Sequence, residues 1–479
     1  MARYLTTTLP YVNAEPHIGF ALEIIQADVL ARAWRLAGEE VFFSTGTDEH
    51  GQKIFEGAQK QSKEVQEYVD FYAERVQGLK QLLSLTPDNF IRTTSEAHKE
   101  AAKEMWRLCD AAGDIYKKSY IGKYCVGCEA NKTDKDLTED GHCELHPALT
   151  IEIVEEENYF FRLSKYQDRL VEYLSQKDVI VPEWRRQEAL AFVHGGLEDF
   201  SISRSKEKLS WGVPVPGDDD QVMYVWFDAL TDYISTLGWP TDADGKYQKF
   251  WKEGMTLQMA GKDQVRFQSV MWQAMLMSAD IKNTDQIFYH GFINSGGQRM
   301  SKSLGNVISP YELVQKYGTE ATRYLLLRHV HPVDDSDVTW ERLDEWYTAN
   351  LVNGLGNLVA RVMKLAEEHL PEPVSILDMG HMINPAFFAH LETFSFQEAL
   401  NEVFALVGGA DEYMATQEPY KKIKDEDTAE EARADFKYLV SELVRIALYL
   451  APFMPSTSAL ILDTVHTNKK PENLFPRLA

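Results

Sequence analysis

Hydrophobic and polar positions near the N-terminus follow first the period of a strand and then that of a helix. A short β-prone run at residues 4–8 precedes a helical pattern over 20–36, which ends at Gly38, and 41–45 is a second β-prone run. Strand, helix and strand at this spacing predict a βαβ unit and therefore a parallel sheet. Side chains that carry chemistry are expected at the carboxyl ends of such strands.

The pattern changes twice further along the chain. Residues 114–220 contain clustered cysteines, short strand candidates and a Gly/Pro/Asp-rich run, which predicts an insertion. The α/β pattern resumes with strand candidates at 223–226, 256–260 and 286–289. Beyond about residue 341 the pattern is helical, with an apolar stripe at Leu351, Leu355, Leu358, Val359 and Val362.

Composition and charge narrow the class of protein. The chain has 479 residues, enough for several domains, and a net charge of −25 from 49 basic and 74 acidic residues. Such an excess of negative charge argues against general coating of nucleic acid, although it leaves room for docking one specific RNA. The sequence lacks a signal-peptide pattern and an apolar run of membrane-spanning length, so we expect a cytoplasmic protein.

Three of the four cysteines form a metal-binding pattern. Cys125 and Cys128 are separated by two residues, as are Cys143 and His146. Two such pairs can supply the four ligands of one tetrahedral Zn²⁺, and the ion is expected to be structural. His142 is the alternative fourth ligand.

Two short segments far apart in the sequence suggest a nucleotide site. The first contains His17-Ile18-Gly19-Phe20, at the start of the predicted helix, where free backbone N–H groups favour phosphate. The second is Arg299-Met300-Ser301-Lys302-Ser303, after two glycines. Taken singly, each has a plainer interpretation, as a helix cap with a tight turn and as a solvated basic loop. Together they suggest a triphosphate held from two sides.

These segments resemble the two signatures of class I aminoacyl-tRNA synthetases, and residues 9–13, 45–51, 224–230 and 261–263 narrow the resemblance to the methionyl-tRNA synthetase family. The resemblance implies an α/β fold: a Rossmann-like class I catalytic core with a zinc-containing insertion, followed by an all-α helical-bundle anticodon-binding domain. The implied boundaries are 1–113 and 221–293 for the two halves of the catalytic domain, 114–220 for the insertion, 294–342 for the signature-loop region and 343–479 for the helical domain.

The resemblance also implies the reaction and its residues. ATP, with Mg²⁺, would activate methionine to methionyl-adenylate, and the methionine would then pass to the 3′-terminal ribose of its tRNA. His17, Gly19 and Lys302 would be catalytic and would bind ATP together with Arg299. Asp48 would pair with the methionine ammonium, and the rest of the methionine pocket would be Leu9, Tyr11, Trp226, Ala229, Leu230, Tyr233, Gln264, Gln268 and Trp272. Asn357, Arg361 and Tyr420 would read the anticodon, and the protein would be a monomer.

The chain departs from the family pattern at several of these positions. Phe20 replaces the usual second histidine of the first signature, and Gln264 and Gln268 replace an isoleucine and a histidine near the methionine. Tyr420 stands where tryptophan is common. These changes keep a non-catalytic RNA-binding paralogue as an alternative. Sister synthetases for leucine, isoleucine or valine fit less well because the insertion is short for an editing domain, and a cysteine enzyme would carry its zinc in the amino-acid site.

Overall fold

A computed structural model describes residues 1–128, 130–132, 136–300, 305–375 and 385–478. Its strands are β1 (Ala2–Thr6), β2 (Glu40–Thr47), β3 (Asn89–Arg92), β4 (Ile115–Cys125), β5 (Ala130–Lys132), β6 (Glu152–Phe161), β7 (Ile180–Val181), β8 (Phe200–Ser201), β9 (Ser203–Ser205), β10 (Pro214–Val215), β11 (Asp218–Met223), β12 (Met255–Gly261), β13 (Gln286–His290), β14 (Ile293–Ser295), β15 (Gln298–Arg299) and β16 (Ser336–Asp337).

The helices are α1 (Ile18–Leu36), α2 (Gln52–Lys60), α3 (Val65–Gln77), α4 (Leu79–Leu82), α5 (Glu96–Ala111), α6 (Gln167–Leu174), α7 (Glu183–His194), α8 (Val225–Ala229), α9 (Asp232–Ser235), α10 (Trp272–Ser278), α11 (Pro310–Tyr317), α12 (Thr319–His329), α13 (Trp340–Trp346), α14 (Asn357–His369), α15 (Pro385–Glu392), α16 (Phe396–Gln417), α17 (Pro419–Lys422), α18 (Ala429–Leu450) and α19 (Pro455–Thr467). The structure also contains π-helical segments at Tyr247–Lys252, Phe267–Met271 and Tyr347–Gly356, and 3₁₀ turns at Leu163–Tyr166 and Lys262–Gln264.

The chain divides into two units, of which the first comprises residues 1–16, 38–80 and 86–290. Its centre is a parallel sheet in the order β3-β2-β1-β12-β13-β7. Leu5 of β1 stands between Phe43 of β2 and Leu257 of β12, and all three are buried. Runs of buried apolar residues are typical of parallel strands covered on both faces. The predicted parallel sheet is confirmed, with β1, β2, β12 and β13 at the predicted places.

Two features of the first unit differ from the sequence-based expectations. The strand expected at 223–226 is wrong beyond its first residue, because β11 ends at Met223 and α8 begins at Val225. The backbone N–H groups of Phe227 and Asp228 donate to the carbonyl of Tyr224, so this segment closes a helical turn. In addition, β7 pairs with β13 in the main sheet, although it lies inside the expected insertion. The remaining domain boundaries stay a prediction.

Antiparallel strands form the rest of the β-structure in this unit. β5, β4, β6 and β8 make a four-stranded sheet, and β10, β11 and β9 make a three-stranded one. The four-stranded sheet leads into the cysteine-rich segment, because β4 ends at Cys125. It therefore positions the first pair of the expected metal ligands.

The second unit comprises residues 17–37, 81–85 and 291–479, so α1 belongs to it although α1 lies between β1 and β2 in sequence. Arg323 of α12 is fully buried and bonds to the Asp28 carboxylate of α1 at 2.8 Å. Its guanidinium also donates to the carbonyls of Leu83, Pro452 and Phe453. The apolar stripe predicted along 351–362 is buried as expected, on Tyr347–Gly356 and α14.

Candidate active site

Tyr11 and Asp48 lie side by side just beyond the carboxyl ends of β1 and β2. The two residues form a parallel bridge, in which the Asp48 N–H donates to the Pro10 carbonyl at 3.1 Å and the Val12 N–H donates to the Asp48 carbonyl at 3.2 Å. Asp48 is buried. The sheet therefore places an acidic side chain and an aromatic one together at the edge where parallel sheets present their functional groups.

An aromatic cluster of the same unit contains most of the other residues expected to bind methionine. The Trp226 ring of α8 stacks on Phe267, with ring centroids 3.9 Å apart, and the rings of Tyr233 and Trp272 are 5.8 Å apart. Leu230 belongs to the same apolar cluster, and Tyr11 and Trp226 pack against it. Such rings suit an apolar, polarizable thioether.

Gln268 is the polar member of this cluster. Its Nε2 donates to the Tyr233 hydroxyl at 2.9 Å, and the residue is 1% exposed. Its Oε1 and the indole N–H groups of Trp226 and Trp272 are buried without a hydrogen-bond partner among the described residues. Buried polar atoms normally have partners, so three orphaned atoms in one cluster indicate a place where a ligand supplies contacts.

The remaining residues expected to bind methionine are Leu9, Ala229 and Gln264. Leu9 is half-buried in the segment after β1, and Ala229 is buried at the end of α8. Gln264 lies in the 3₁₀ turn Lys262–Gln264, where its Nε2 donates to the Asp263 carboxylate at 3.0 Å. Gln264 thus bonds to its neighbour in the turn, whereas Gln268 bonds within the aromatic cluster.

The sequence analysis did not single out a buried carboxylate near these residues. Asp228 of α8 is fully buried, with one carboxylate oxygen 2.6 Å from His50 Nδ1 and the other 2.8 Å from His98 Nε2. Burial raises the pKa of Asp228, but the two histidines outweigh it and lower that pKa to about 2. Burial raises the pKa of the neighbouring Asp232 well above its usual value, and the Asp228 charge adds to the effect.

The first signature forms the N-terminus of α1 in the second unit. His17 is the exposed N-cap residue, and its Nδ1 accepts the Gly19 N–H at 3.0 Å. A Cβ at Gly19 would lie 2.8 Å from the His17 ring, so only glycine fits without displacing that ring. Phe20 is buried, and its apolar ring offers no hydrogen bond where the family usually has a histidine.

The second signature follows a tight hairpin in the same unit. β14 and β15 pair antiparallel through Gly296 and Gly297, whose φ angles of 65° and 74° favour glycine. The Arg299 guanidinium lies 4.8 Å from the centroid of the Phe292 ring, a cation–π contact. Lys302, expected to be catalytic, lies outside the described residues.

The expected anticodon residues lie on the helical part of the second unit. Asn357 and Arg361 are exposed on α14, one turn apart, away from the buried stripe as predicted. Arg361 bonds to Asp411 at 3.3 Å, a surface pair that contributes little to stability. Tyr420 is half-buried in α17, with its hydroxyl 3.3 Å from a Glu418 carboxylate oxygen.

The expected zinc ligands converge in the first unit. The ligand atoms of Cys125, Cys128, Cys143 and His146 all lie within 4.8 Å of one another. Cys128 Sγ is 3.5 Å from Cys143 Sγ and 3.2 Å from His146 Nδ1, close to the separations of about 3.5–3.8 Å in a tetrahedral Zn²⁺ site. The other candidate, His142, is not part of this group, and its Nδ1 lies 3.4 Å from the Leu149 carbonyl. The donor set therefore fits Zn²⁺.

Comparison with known proteins agrees with this fold. A family model described as tRNA synthetases class I (M) matches residues 3–150 and 139–363. Methionine–tRNA ligases from Rhizobium meliloti and Thermosynechococcus vestitus are 39% and 40% identical to the chain, covering 96% and 95% of it and 91% and 88% of those proteins. A crystal structure of Mycobacterium tuberculosis methionyl-tRNA synthetase bound by methionyl-adenylate superimposes with a TM-score of 0.89 and 34% identity, over 100% of this chain and 99% of that one.

A parallel α/β core, two signature segments and a helical C-terminal region define a class I aminoacyl-tRNA synthetase. Within that class the chain belongs to the methionyl-tRNA synthetase family, as a methionine–tRNA ligase. The non-catalytic alternative is not supported, because relatives that match nearly the whole chain are ligases. In the part of the chain that the structure describes, every helix is too short or too polar to cross a membrane.

Sequence reasoning missed residues whose roles depend on distant partners. Phe267 stacks on Trp226, while His50 and His98 bond to Asp228, from positions 178 and 130 residues away. A sequence signal for His50 was available, because His50 follows Asp48 by two residues in a segment that resembles the family. Nothing in the spacing of Phe267 or His98 distinguishes either from an ordinary core residue.

Proposed function

We propose that this enzyme binds methionine between the Asp48 carboxylate and the aromatic cluster of Trp226, Tyr233 and Trp272. The observation that carries the proposal is the Tyr11–Asp48 bridge, which puts a buried carboxylate beside an aromatic ring that packs on that cluster. The carboxylate would pair with the ammonium, and the rings would contact the thioether. Leu9, Ala229, Leu230, Gln264 and Gln268 complete the proposed pocket.

Methionine-dependent exchange of pyrophosphate into ATP tests this proposal directly. We expect exchange with methionine alone among the standard amino acids. Asp48→Asn keeps the size of the side chain but loses the charge, so the KM for methionine should rise at least tenfold while the KM for ATP stays within about twofold. Exchange with another amino acid, or an unchanged methionine KM in Asp48→Asn, would contradict the assignment.

The proposed ATP-binding residues are His17, Gly19, Arg299 and Lys302. The N-terminus of α1 presents the positive end of its helix dipole to phosphate, with Gly19 leaving room for close approach. Mg²⁺ would offset the triphosphate charge. The methionine carboxylate is already ionised at neutral pH, so it would attack the α-phosphate without a general base. The bond between the α- and β-phosphates would break and pyrophosphate would leave, while the protein contributes positioning and charge stabilisation.

The cationic side chain of Lys302 is proposed to stabilise charge that develops on the phosphates. Lys302→Ala should lower the rate of adenylate formation by about 10²–10³. Methionine affinity, measured by equilibrium binding without ATP, should remain. Full exchange activity in this variant would remove Lys302 from the mechanism.

The proposed tRNA contacts are Asn357, Arg361 and Tyr420. The exposed pair on α14 supports hydrogen bonding to anticodon bases, and the phenol ring of Tyr420 supports stacking on an unpaired base. Arg361→Ala should raise the KM for tRNA in aminoacylation and leave methionine-dependent exchange unchanged. An equal effect on both reactions would contradict an anticodon role.

We propose that Cys125, Cys128, Cys143 and His146 hold one structural Zn²⁺, which would fix the cysteine-rich segment to the end of β4. Metal analysis of the purified protein should give one zinc per chain. A cytoplasmic monomer is also proposed, with light scattering as the test of the oligomeric state and cell fractionation as the test of location.

A further inference from the structure

A buried carboxylate that accepts hydrogen bonds from two histidines lies close to residues proposed to bind methionine. Asp228 is fully buried, and His50 and His98 are 4% and 0% exposed. An ionised carboxylate can only accept hydrogen bonds, so His50 presents Nδ1–H to one oxygen and His98 presents Nε2–H to the other. The three residues form a buried network of hydrogen bonds.

Each of these three residues lies in, or contacts, a segment that contains a residue proposed to bind methionine. His50 follows Asp48 by two residues, and its backbone N–H points at the Asp48 carboxylate from 3.5 Å. Asp228 lies in α8, two residues after Trp226. His98 reaches through Nδ1 to the hydroxyl of Ser235, at 2.8 Å, in the short helix that contains Tyr233.

The Asp48 turn is held equally firmly on its other side. Glu49, the residue between Asp48 and His50, accepts two bonds from the Arg92 guanidinium, at 2.6 and 2.9 Å. Its backbone N–H donates to the Thr93 hydroxyl, and its carbonyl accepts the Trp211 indole N–H at 2.6 Å. Glu49 is thus fixed to one side of the unit, and the His50–Asp228 bond connects the Asp48 turn to α8.

We propose that Asp228, His50 and His98 are positioning residues. They fix the Asp48 carboxylate relative to the aromatic cluster of Trp226, Tyr233 and Trp272. This inference rests on the proposed function, in which Asp48 pairs with the methionine ammonium. None of the three residues touches the reacting atoms. Their role is to keep Asp48 and the aromatic cluster in a fixed relative position, so that the ammonium and the thioether of methionine bind at the same time.

The two histidines use different ring nitrogens, which allows a crossed experiment. The amide nitrogen of asparagine overlays Nδ1 of histidine, and that of glutamine overlays Nε2. His50→Asn and His98→Gln therefore keep the donor to Asp228, whereas His50→Gln and His98→Asn lose it. In methionine-dependent exchange, we expect the second pair to raise the methionine KM about tenfold with little change in the ATP KM. His50→Asn should stay close to wild type, and His98→Gln should fall between the two because it keeps the bond to Asp228 but loses the bond to Ser235.

A role limited to filling space gives a different pattern, because the same amide would then be the better replacement at both positions. That pattern, or a methionine KM that none of the variants changes, would overturn the proposal. Thermal unfolding of each variant shows whether it is folded. If a histidine variant does not fold, Asp228→Asn keeps the shape of the carboxylate, and the same selective rise in methionine KM is required of it.

This result is separable from the proposed function itself. If wild type shows no methionine-dependent exchange, or if Asp48→Asn leaves the methionine KM unchanged, the proposed function fails whatever the histidine variants do. If Asp48→Asn weakens methionine and the crossed variants do not differ, only the positioning role fails.

Discussion

Gln268 shows how much a single polar atom matters in a pocket that is mostly apolar. One end of its amide bonds to the Tyr233 hydroxyl, while the other end has no partner among the described residues. An amide can turn end for end, so either its oxygen or its nitrogen can face the ligand. The residue is uncharged at every physiological pH, unlike the histidine usual in the family.

Replacing this amide tests its contribution to methionine recognition. Gln268→Leu keeps the approximate volume but removes the hydrogen bond to the Tyr233 hydroxyl, so the methionine KM should rise about five- to tenfold. Gln187→Leu is the matched control, because this amide is exposed on α7, outside the proposed pocket, and donates to the Glu183 carboxylate at 2.8 Å. Equal effects of the two substitutions on the methionine KM in pyrophosphate exchange would contradict a special role for Gln268.

The ionised state of Asp228 predicts a dependence of stability on pH. Its folded pKa of about 2 lies below its ordinary value of 3.8, so the carboxylate stabilises the fold above about pH 4. This stabilisation is lost as the pH falls from about 4 towards 2. The difference in urea midpoint between wild type and Asp228→Asn should therefore shrink over that range. A difference that stays constant from pH 6 to pH 3 would show that the charge of Asp228 does not matter.

At the scale of elements, the sequence predicted long, regular segments and missed short ones set by tertiary contacts. α1 and the central strands follow clear periodicities over many residues, and the Cys/His spacing identified four side chains that lie close together in the structure. β7 is only two residues long, and α8 is a five-residue helix beside a strand end. Segments this short carry too few residues for a period to be read, and their partners in space decide their conformation.

The close packing of the proposed metal-binding loop makes Gly127 a critical residue. A Cβ at Gly127 would lie 2.4 Å from the His146 ring, so Gly127→Ala should displace this proposed ligand and lower the zinc content per chain. Gly408→Ala is the control, since a Cβ there meets nothing within 4 Å and the residue lies inside α16. That control should keep its zinc and gain up to about 1 kcal/mol of stability. Full zinc content in Gly127→Ala, measured by metal analysis, would contradict the proposed ligand geometry.

At the scale of the whole molecule, the chain passes between the two units more than once before residue 291. The second unit takes α1 and a five-residue segment from the N-terminal part of the sequence. Arg323 joins these pieces, because its buried guanidinium contacts Asp28, Leu83 and the segment after α18. No periodicity in the sequence marks such a residue, since its importance comes from partners that only the folded chain brings together.

Removing the guanidinium of Arg323 should therefore weaken the second unit severely. Arg323→Met leaves the buried Asp28 carboxylate with one cationic partner fewer and several carbonyls unpaired, with an expected loss of about 3–5 kcal/mol in urea unfolding. Arg433→Met is the control, because among the described residues Arg433 forms an exposed ion pair with Glu430, and its loss should cost less than about 1 kcal/mol. A similar small loss in both variants would show that the Arg323 contacts are not critical.

The position of Arg323 also bears on how the protein is made. Its partners include a carbonyl 240 residues earlier in the chain and another 130 residues later. During synthesis, α1 therefore leaves the ribosome long before the later residues of the second unit. The apolar side chains of α1 that are buried in the folded protein remain exposed in the meantime. Contacts at such long sequence separation form slowly, because a large loop must close first. The nascent chain is thus expected to need protection from aggregation until residue 453 has left the ribosome.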